Sequence, residues 1–156
     1  MGEQLTAGEV CTRSVTVAFR NTTLGGAARL MRDNNAGCLV VVDEVQGLRI
    51  VVGLLTDRDI VTDIIAAEVN PDTLRVEDVM TTELVTARET DSLIDLLRSM
   101  RRKAVRRIPV VGARAELVGL VTLDDLLDIV SEELVLLVGA IDSQSQRERP
   151  MRRLAR

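Results

Sequence analysis

The chain contains no histidine, no tryptophan and no tyrosine, and Phe19 is its single aromatic residue. Without histidine, neither a Ser-His nor a Cys-His relay can form. Two cysteines without an imidazole fall short of the usual zinc ligand sets unless carboxylates join them. Lys103 is the only lysine among 20 basic residues. It lies outside any G-x-x-x-x-G-K-[ST] pattern, which removes the P-loop reading. The lack of stacking aromatics counts against single-stranded nucleic acid as a ligand. Long apolar runs are also missing: the longest spans the eight residues from Leu134 to Ile141, well short of the ~18 needed for a membrane span. Met-Gly-Glu-Gln-Leu-Thr at the start carries neither a basic nor an apolar leader segment. Two cysteines do not make a disulfide framework. The expectation is a cytoplasmic protein with no membrane partner.

What is present is the composition of a folded domain, 46% hydrophobic and 28% charged. The net charge of −4 is unevenly spread, because residues 142–156 carry five arginines against Asp142 and Glu148. The acidic remainder argues against nucleic-acid binding by the fold itself. The arginine-rich tail, 142–156, is expected to be solvated and disordered.

Self-similarity organises the rest. Gly53-Leu54-Leu55-Thr56-Asp57-Arg58-Asp59-Ile60 aligns with Gly119-Leu120-Val121-Thr122-Leu123-Asp124-Asp125-Leu126, 66 positions later. Upstream the offset is 69, where Val10, Thr12, Leu24, Met31, Val41 and Val42 meet Val79, Thr81, Leu93, Met100, Val110 and Val111. The three-residue excess of the first copy lies between Val42 and Gly53, where a hairpin turn tolerates insertion. Residues 5–68 form the first repeat, 69–75 a linker and 76–141 the second repeat.

Both copies predict one order of elements. A short segment (5–10; 76–80) leads into a small strand (15–18; 84–87). An amphipathic helix follows, with Leu24, Ala27, Ala28 and Met31, or Leu93, Leu96, Leu97 and Met100, at helical spacing. Residues 21–23 and 90–92 offer N-caps. Two apolar strands come next (38–42 with 48–55; 107–111 with 116–121), their unbroken Val, Leu and Ile pointing to a sheet covered on both faces. A second helix begins at the threonine of T-x-x-D, running to about residue 67 in the first copy. A repeat of roughly 60 residues buries too little surface alone, so the two are expected to pack as a pseudo-twofold pair.

The G-h-h-T-x-x-D segments admit two readings. As a capping box, the threonine accepts the amide three residues on and the aspartate reaches back. As a ligand site, the same strand-to-helix turn offers N–H groups and a hydroxyl to phosphate, and a carboxylate to a ribose diol.

Val-Glu-Asp-Val-Met at 76–80, Arg-Arg-Ile-Pro-Val at 106–110 and the paired G-h-h-T-x-x-D segments together resemble a tandem pair of CBS domains, a Bateman module, over roughly residues 5–140. The resemblance implies an α/β (α+β) fold of two β-α-β-β-α repeats, clefts for an adenosyl ligand (AMP, ADP, ATP or S-adenosylmethionine), and a homodimer. By the same resemblance Asp59 and Asp125 would hold ribose hydroxyls, and Thr56 and Thr122 ribose or phosphate. Thr16-Val17 and Val85-Thr86 would line the base, with Ala36-Gly37-Cys38 and Arg107-Ile108-Pro109 reading adenine through their backbone.

The two copies differ. Asp57-Arg58 sets a guanidinium beside the expected phosphate. Leu123-Asp124 sets a second carboxylate beside Asp125, which repels phosphate unless Mg²⁺ intervenes. Unequal clefts are therefore expected, with the one holding Thr56, Arg58 and Asp59 the better nucleotide site. Arg101, Arg102, Arg106 and Arg107 cluster around Lys103; they read as a solvated helix end, or as Arg106 or Arg107 reaching a ligand phosphate. The apolar stripe from Leu126 to Ile141 outruns its counterpart in the first repeat and is read as a dimer contact. Cys11 and Cys38 read as small buried hydrophobes, with a redox pair flanking the base pocket as the sharper possibility. The function expected is a ligand-sensing module, without a required cofactor, that signals to a protein partner. A scaffold with empty clefts is the alternative, and an enzyme is disfavoured.

Overall fold

A computed structural model describes residues 4–148. The chain divides into two compact units at Thr122/Leu123. The first holds two three-stranded sheets, and the second is the long helix α6 (Leu123–Glu148), described by itself below.

The first sheet has the order β1 (Val17–Ala18), β2 (Cys38–Val45), β3 (Leu48–Thr56), with β1 parallel and β3 antiparallel to the central strand. The second repeats it as β4 (Ala87–Arg88), β5 (Arg107–Val111), β6 (Leu117–Thr122). Each small strand connects to its sheet's centre through an amphipathic helix, α2 (Leu24–Asp33) or α5 (Leu93–Lys103). The caps fall inside the expected windows. Thr23 Oγ1 accepts from Gly26 N at 3.1 Å, and Ser92 Oγ accepts from Asp95 N at 3.2 Å. Leu24, Ala27 and Met31 of α2, and Leu96 and Met100 of α5, are buried as their spacing predicts. Ala28 is exposed. The lone lysine and its neighbours Arg101 and Arg102 stand exposed in the last turn of α5, where cations meet the negative end of the helix dipole.

The three extra residues of the first repeat lengthen the β2–β3 hairpin. Its turn is Gln46-Gly47, both with positive φ (51° and 78°), as a two-residue hairpin turn requires. Both hairpins carry a bulge at the same place in the repeat, between Val41 and Val42 and between Val110 and Val111.

Three expectations need correction. The second small strand is Ala87–Arg88, so Val85 and Thr86 precede it. The helix after Thr56 is α-helical only over α3 (Asp57–Asp59), then widens to a π-helical turn over Ile60–Ile65, with Ala66 N bonding Val61 O at 2.9 Å. Residues 142–148, expected as the start of a disordered tail, continue α6, because nothing between Gly139 and Pro150 breaks a helix. The remainder of that tail lies outside the described residues.

What joins the repeats is an exchange of their leading segments. The short helix α1 (Ala7–Val10) belongs by sequence to the first repeat, yet Ala7 N donates to Asp91 O and Gly8 N to Glu89 O. Its counterpart α4 (Val76–Val79) does the reverse, with Val76 N donating to Thr22 O and Glu77 N to Arg20 O. Beyond each helix the chain pairs with the outer edge of the other repeat's sheet. Thr12 and Leu120 exchange two backbone bonds of 2.9 and 3.0 Å; Leu54 and Thr81 exchange two of 3.0 and 2.8 Å. Val76 and Met80 thereby enter the core of the first sheet with Leu24, Met31, Leu39, Val41 and Leu55. Both outer edges, otherwise open to aggregation, are covered in the process.

These crossings explain the glycine of G-h-h. A β-carbon on Gly119 would stand 2.6 Å from Cys11 Sγ and 2.8 Å from Thr12 O; on Gly53 it would stand 2.6 Å from Met80 Sδ and 3.2 Å from Thr81 O. Gly119→Ala is expected to cost about 1–3 kcal/mol, as overpacking does, because backbone must move. Gly53→Ala should cost less, since the methionine tip can swing away. Calorimetric unfolding should rank the midpoints wild type, then Gly53→Ala, then Gly119→Ala. Equal midpoints for the last two would show that the crossings yield alike.

Candidate functional site

The topology gathers the candidate residues. In each sheet the small strand runs parallel to the central one and the third returns antiparallel, so the entries of the first two and the exit of the third share one end. Val17 pairs with Val40 and Thr16 O accepts from Val40 N at 3.3 Å, which places Thr16 and Val17 beside the entry of β2. Cys38 pairs with Thr56, and Gly37 O accepts from Asp57 N at 3.0 Å. Thr16, Ala36, Gly37, Cys38, Thr56, Asp57 and Asp59 thus meet around one strand-to-helix turn.

At that turn both halves of the capping box form. Thr56 Oγ1 accepts from Asp59 N at 3.2 Å, and Asp59 Oδ2 accepts from Thr56 N at 2.9 Å. Asp57 Oδ1 accepts from Arg58 N at 2.8 Å. The box uses only Oδ2 of Asp59, so capping and ligand binding can draw on different oxygens of one carboxylate. Arg58 is exposed, its guanidinium open to water.

The second repeat contributes a residue to this place. A β-carbon on Gly37 would lie 3.4 Å from Asp57 Oδ2 and 3.6 Å from Arg107 Nη2. Arg107, expected to line the second cleft, therefore also reaches the turn of the first. Cys38 registers the same surroundings. Burial pushes its thiol up to about 11, Arg107 acts to lower it, and Asp59 and Asp57 act to raise it. A cavity of about 260 Å³ adjoins the turn, bordered by Met31, Arg32, Asn35, Ala36, Gly37 and Asp57. Sequence reasoning passed over Arg32 and Asn35. The signal was there in Asn34-Asn35 after a helical stripe, since asparagine tolerates the left-handed conformation that Asn35 adopts (φ 49°).

The second set is gathered only in part. Arg107 pairs with Thr122 and Ile108 with Val121, while Ala87 pairs with Val110, so Val85 and Thr86 approach the entry of β5. Ile108 and Pro109 are buried within the sheet, which leaves only their backbone to meet a ligand. Arg106 is exposed. Thr86 lines a different and larger hollow of about 800 Å³, with Arg88, Glu89, Asp91 and Gly112, at the far ends of β4 and β5. Thr122 closes β6, and Asp124 and Asp125 stand in the first turn of α6.

The two cysteines are free and have different neighbours. Cys11 packs over Gly119 of β6, and Cys38 sits in β2 opposite Thr56. Burial also raises the Cys11 thiol. Cys11 therefore does not flank the turn that holds Cys38, and the paired-thiol reading loses its geometric support. Among the described residues, no group of three or more Cys, Asp or Glu side chains is placed to hold a metal ion, and no helix is long and apolar enough to cross a membrane.

Comparison with known proteins bears on this arrangement. The family model described as CBS domain matches twice, over residues 7–66 and 76–132. A CBS domain-containing protein of Bacillus subtilis is 38% identical over 118 residues, covering 76% of this chain and 80% of the relative. An uncharacterized protein of Methanopyrus kandleri is 30% identical over 125 residues, covering 80% of this chain. The chain spans 62% of that relative's length. Among solved structures, the cytosolic domain of the Mg²⁺ channel MgtE in complex with ATP superposes with a TM-score of 0.68 at 28% identity, over 81% of this chain and 49% of that one.

The thiol environment yields a measurement. A pKa near 11 instead of 9.0 leaves Cys38 with about a hundredfold less thiolate near neutral pH. Iodoacetamide labelling of the native protein at pH 7.5, read by peptide mapping, should leave Cys38 unmodified while the urea-unfolded chain labels fully. Because the unfolded thiol ionises first as pH rises, this group's contribution to stability is intact below pH 9 and is lost towards pH 11. Rapid native labelling of Cys38 would contradict its burial.

Proposed function

Because the chain belongs to the CBS-domain family, we propose that it is a ligand-sensing module which binds an adenosyl ligand at the Thr56–Asp59 turn and reports occupancy to a partner protein. The observation that carries this reading is the convergence of both repeats on one place. Thr56, Asp57 and Asp59 come from the first repeat, and Arg107 comes from the second. The chemistry assigns the roles. The free oxygen of the Asp59 carboxylate suits a ribose diol. Arg58 and Arg107 supply guanidinium donors to phosphate, which such groups bind in bidentate fashion. Thr16, Val17 and the backbone of Ala36, Gly37 and Cys38 form the wall for the base. The ATP held by the MgtE domain supports a nucleotide as the class of ligand.

The second set is read as the weaker site. Its T-x-x-D carries Asp124 beside Asp125, and two carboxylates together oppose a phosphate unless Mg²⁺ stands between them. Sensing requires that the ligand bind two states of the module unequally. A ligand held by both repeats has the means to do so, since any change in how the repeats meet moves Arg107 relative to Thr56. The reading includes a homodimer in the cytoplasm and no chemical turnover of the ligand.

The test is unfolding against AMP, ADP, ATP, S-adenosylmethionine and NAD, with and without Mg²⁺, followed by calorimetry because the chain lacks tryptophan and tyrosine. A ligand at 100 times its Kd raises stability by about 2.7 kcal/mol. Asp59→Asn keeps an acceptor for Thr56 N and so should preserve the unliganded midpoint, while lowering affinity at least tenfold. Arg107→Ala should weaken ATP and ADP more than adenosine, because only the phosphates lose a partner. A flat panel would overturn the sensing reading and leave a CBS-fold interaction module in its place.

The same panel distinguishes the two turns. Affinity that survives Asp59→Asn but is abolished by Asp125→Asn would reverse their ranking.

A further inference from the structure

We propose that Asp57 makes the Thr56–Asp59 turn select adenosyl ligands whose tail beyond the ribose carries positive as well as negative charge, and that it turns away a bare polyphosphate. The inference rests on the reading of this turn as an adenosyl site, and it names the class of tail that the site takes.

The two charges that flank Gly37 are not part of the repeat. Asp57 aligns with Leu123 of the second copy, and Arg107 aligns with Cys38 of the first. Each repeat departs from its twin here by one charge, the two are of opposite sign, and the fold brings both departures to one place. Asp57 Oδ2 lies 3.4 Å, and Arg107 Nη2 3.6 Å, from the point where a β-carbon of Gly37 would stand, so these atoms are within about 7 Å of each other.

The two groups face each other without pairing. Asp57 Oδ1 accepts from Arg58 N at 2.8 Å, which ties the carboxylate to the turn. Among the described residues, Oδ2 has no hydrogen-bond or ion-pair partner, and neither has the guanidinium of the half-buried Arg107. Both charges reach the buried Cys38 thiol, with opposite effect. The turn therefore offers a free carboxylate oxygen and a free guanidinium across one gap, the first from one repeat and the second from the other.

That pairing discriminates among tails. With Arg58 and Asp59 included, the turn holds two guanidinium groups and two carboxylates and is neutral in sum. A phosphate drawn to Arg107 is brought beside Asp57, where like charges oppose each other. Repulsion of this kind is how a site rejects one ligand while keeping a near relative. A tail with both signs meets both groups, since its anionic oxygens bond the guanidinium and its positive charge faces the carboxylate. Two tails bring such neighbouring charges: a polyphosphate carrying Mg²⁺, and the α-amino acid end of S-adenosylmethionine. The chemistry that Asp57 reads is common to both.

The test is isothermal titration calorimetry of the full chain with adenosine, ATP in EDTA, ATP with Mg²⁺, and S-adenosylmethionine. Asp57→Asn keeps an acceptor for Arg58 N, so its unfolding midpoint should match the wild type. In the wild type, ATP with Mg²⁺ or S-adenosylmethionine should bind at least tenfold tighter than ATP in EDTA. Whichever of the two binds tighter tells whether the positive charge arrives as a metal or as an ammonium group. Asp57→Asn should strengthen ATP in EDTA about tenfold and weaken the preferred ligand about tenfold, as unit charges a few ångströms apart near a surface would. Adenosine, which has no tail, should stay within about twofold. Two results would overturn the proposal and leave the adenosyl reading in place. One is wild-type protein that binds ATP in EDTA as tightly as either favoured ligand. The other is an Asp57→Asn variant that shifts all four ligands alike or leaves ATP in EDTA unchanged. Wild-type protein that binds none of the four would overturn the adenosyl reading and this proposal together.

Discussion

Two backbone crossings hold this fold together. At each, a segment leaving one repeat lies along the free edge of the other repeat's sheet, Thr12 against Leu120 and Thr81 against Leu54. The approach is close enough that a β-carbon on Gly119 would meet the crossing backbone, while one on Gly53 would meet the tip of Met80. Much else depends on that contact. It caps the edge strands, it delivers Val76 and Met80 into the first core, and it keeps two small repeats from being separable bodies. A sheet of three short strands and one helix buries too little to stand alone; exchanging the leading helices lets each repeat complete the other.

The crossings also set the chemistry of the Thr56 turn. With the repeats interlocked, the entries of β2 and β5 come near each other, and Arg107 reaches the neighbourhood of Gly37 and Asp57. The turn then combines a carboxylate and a hydroxyl from one repeat with a guanidinium from the other. Thr56 and Asp59 satisfy each other's backbone, so the turn is held by its own two residues. Capping and recognition had looked like rival explanations of T-x-x-D. They are compatible, because a carboxylate has two oxygens and the cap uses one.

Much of this was legible from residue spacing. Apolar positions at i, i+3, i+4 and i+7 predicted α2 and α5, with Thr23 and Ser92 inside the predicted caps. Unbroken Val and Leu runs predicted the central strands, and the shift in repeat offset located the longer hairpin. The resemblance to CBS pairs rested on the same residues and agrees with the family match. The small strands were placed less well, since two residues carry too little pattern to fix their ends. The π-helical turn after Asp59 was invisible, because Ile-Val-Thr-Asp-Ile-Ile is compatible with an ordinary helix and widening by one residue leaves no mark on composition.

The sequence by itself therefore determined the local elements, their order and their duplication, for these follow from periodicity, capping and turn chemistry within a few residues of each position. It also determined the chemistry on offer: no imidazole, one lysine, two T-x-x-D turns, and an α6 whose acidic first part gives way to the apolar stretch 134–141. Only the tertiary structure decided which repeat each leading helix serves, what crowds Gly53 and Gly119, and that Arg107 stands near Thr56 and Asp57. Those facts are contacts between residues about 27 to 108 positions apart in the chain. No local pattern encodes them, because a repeat that docks its leading helix on itself and one that docks it on its twin have the same periodicity.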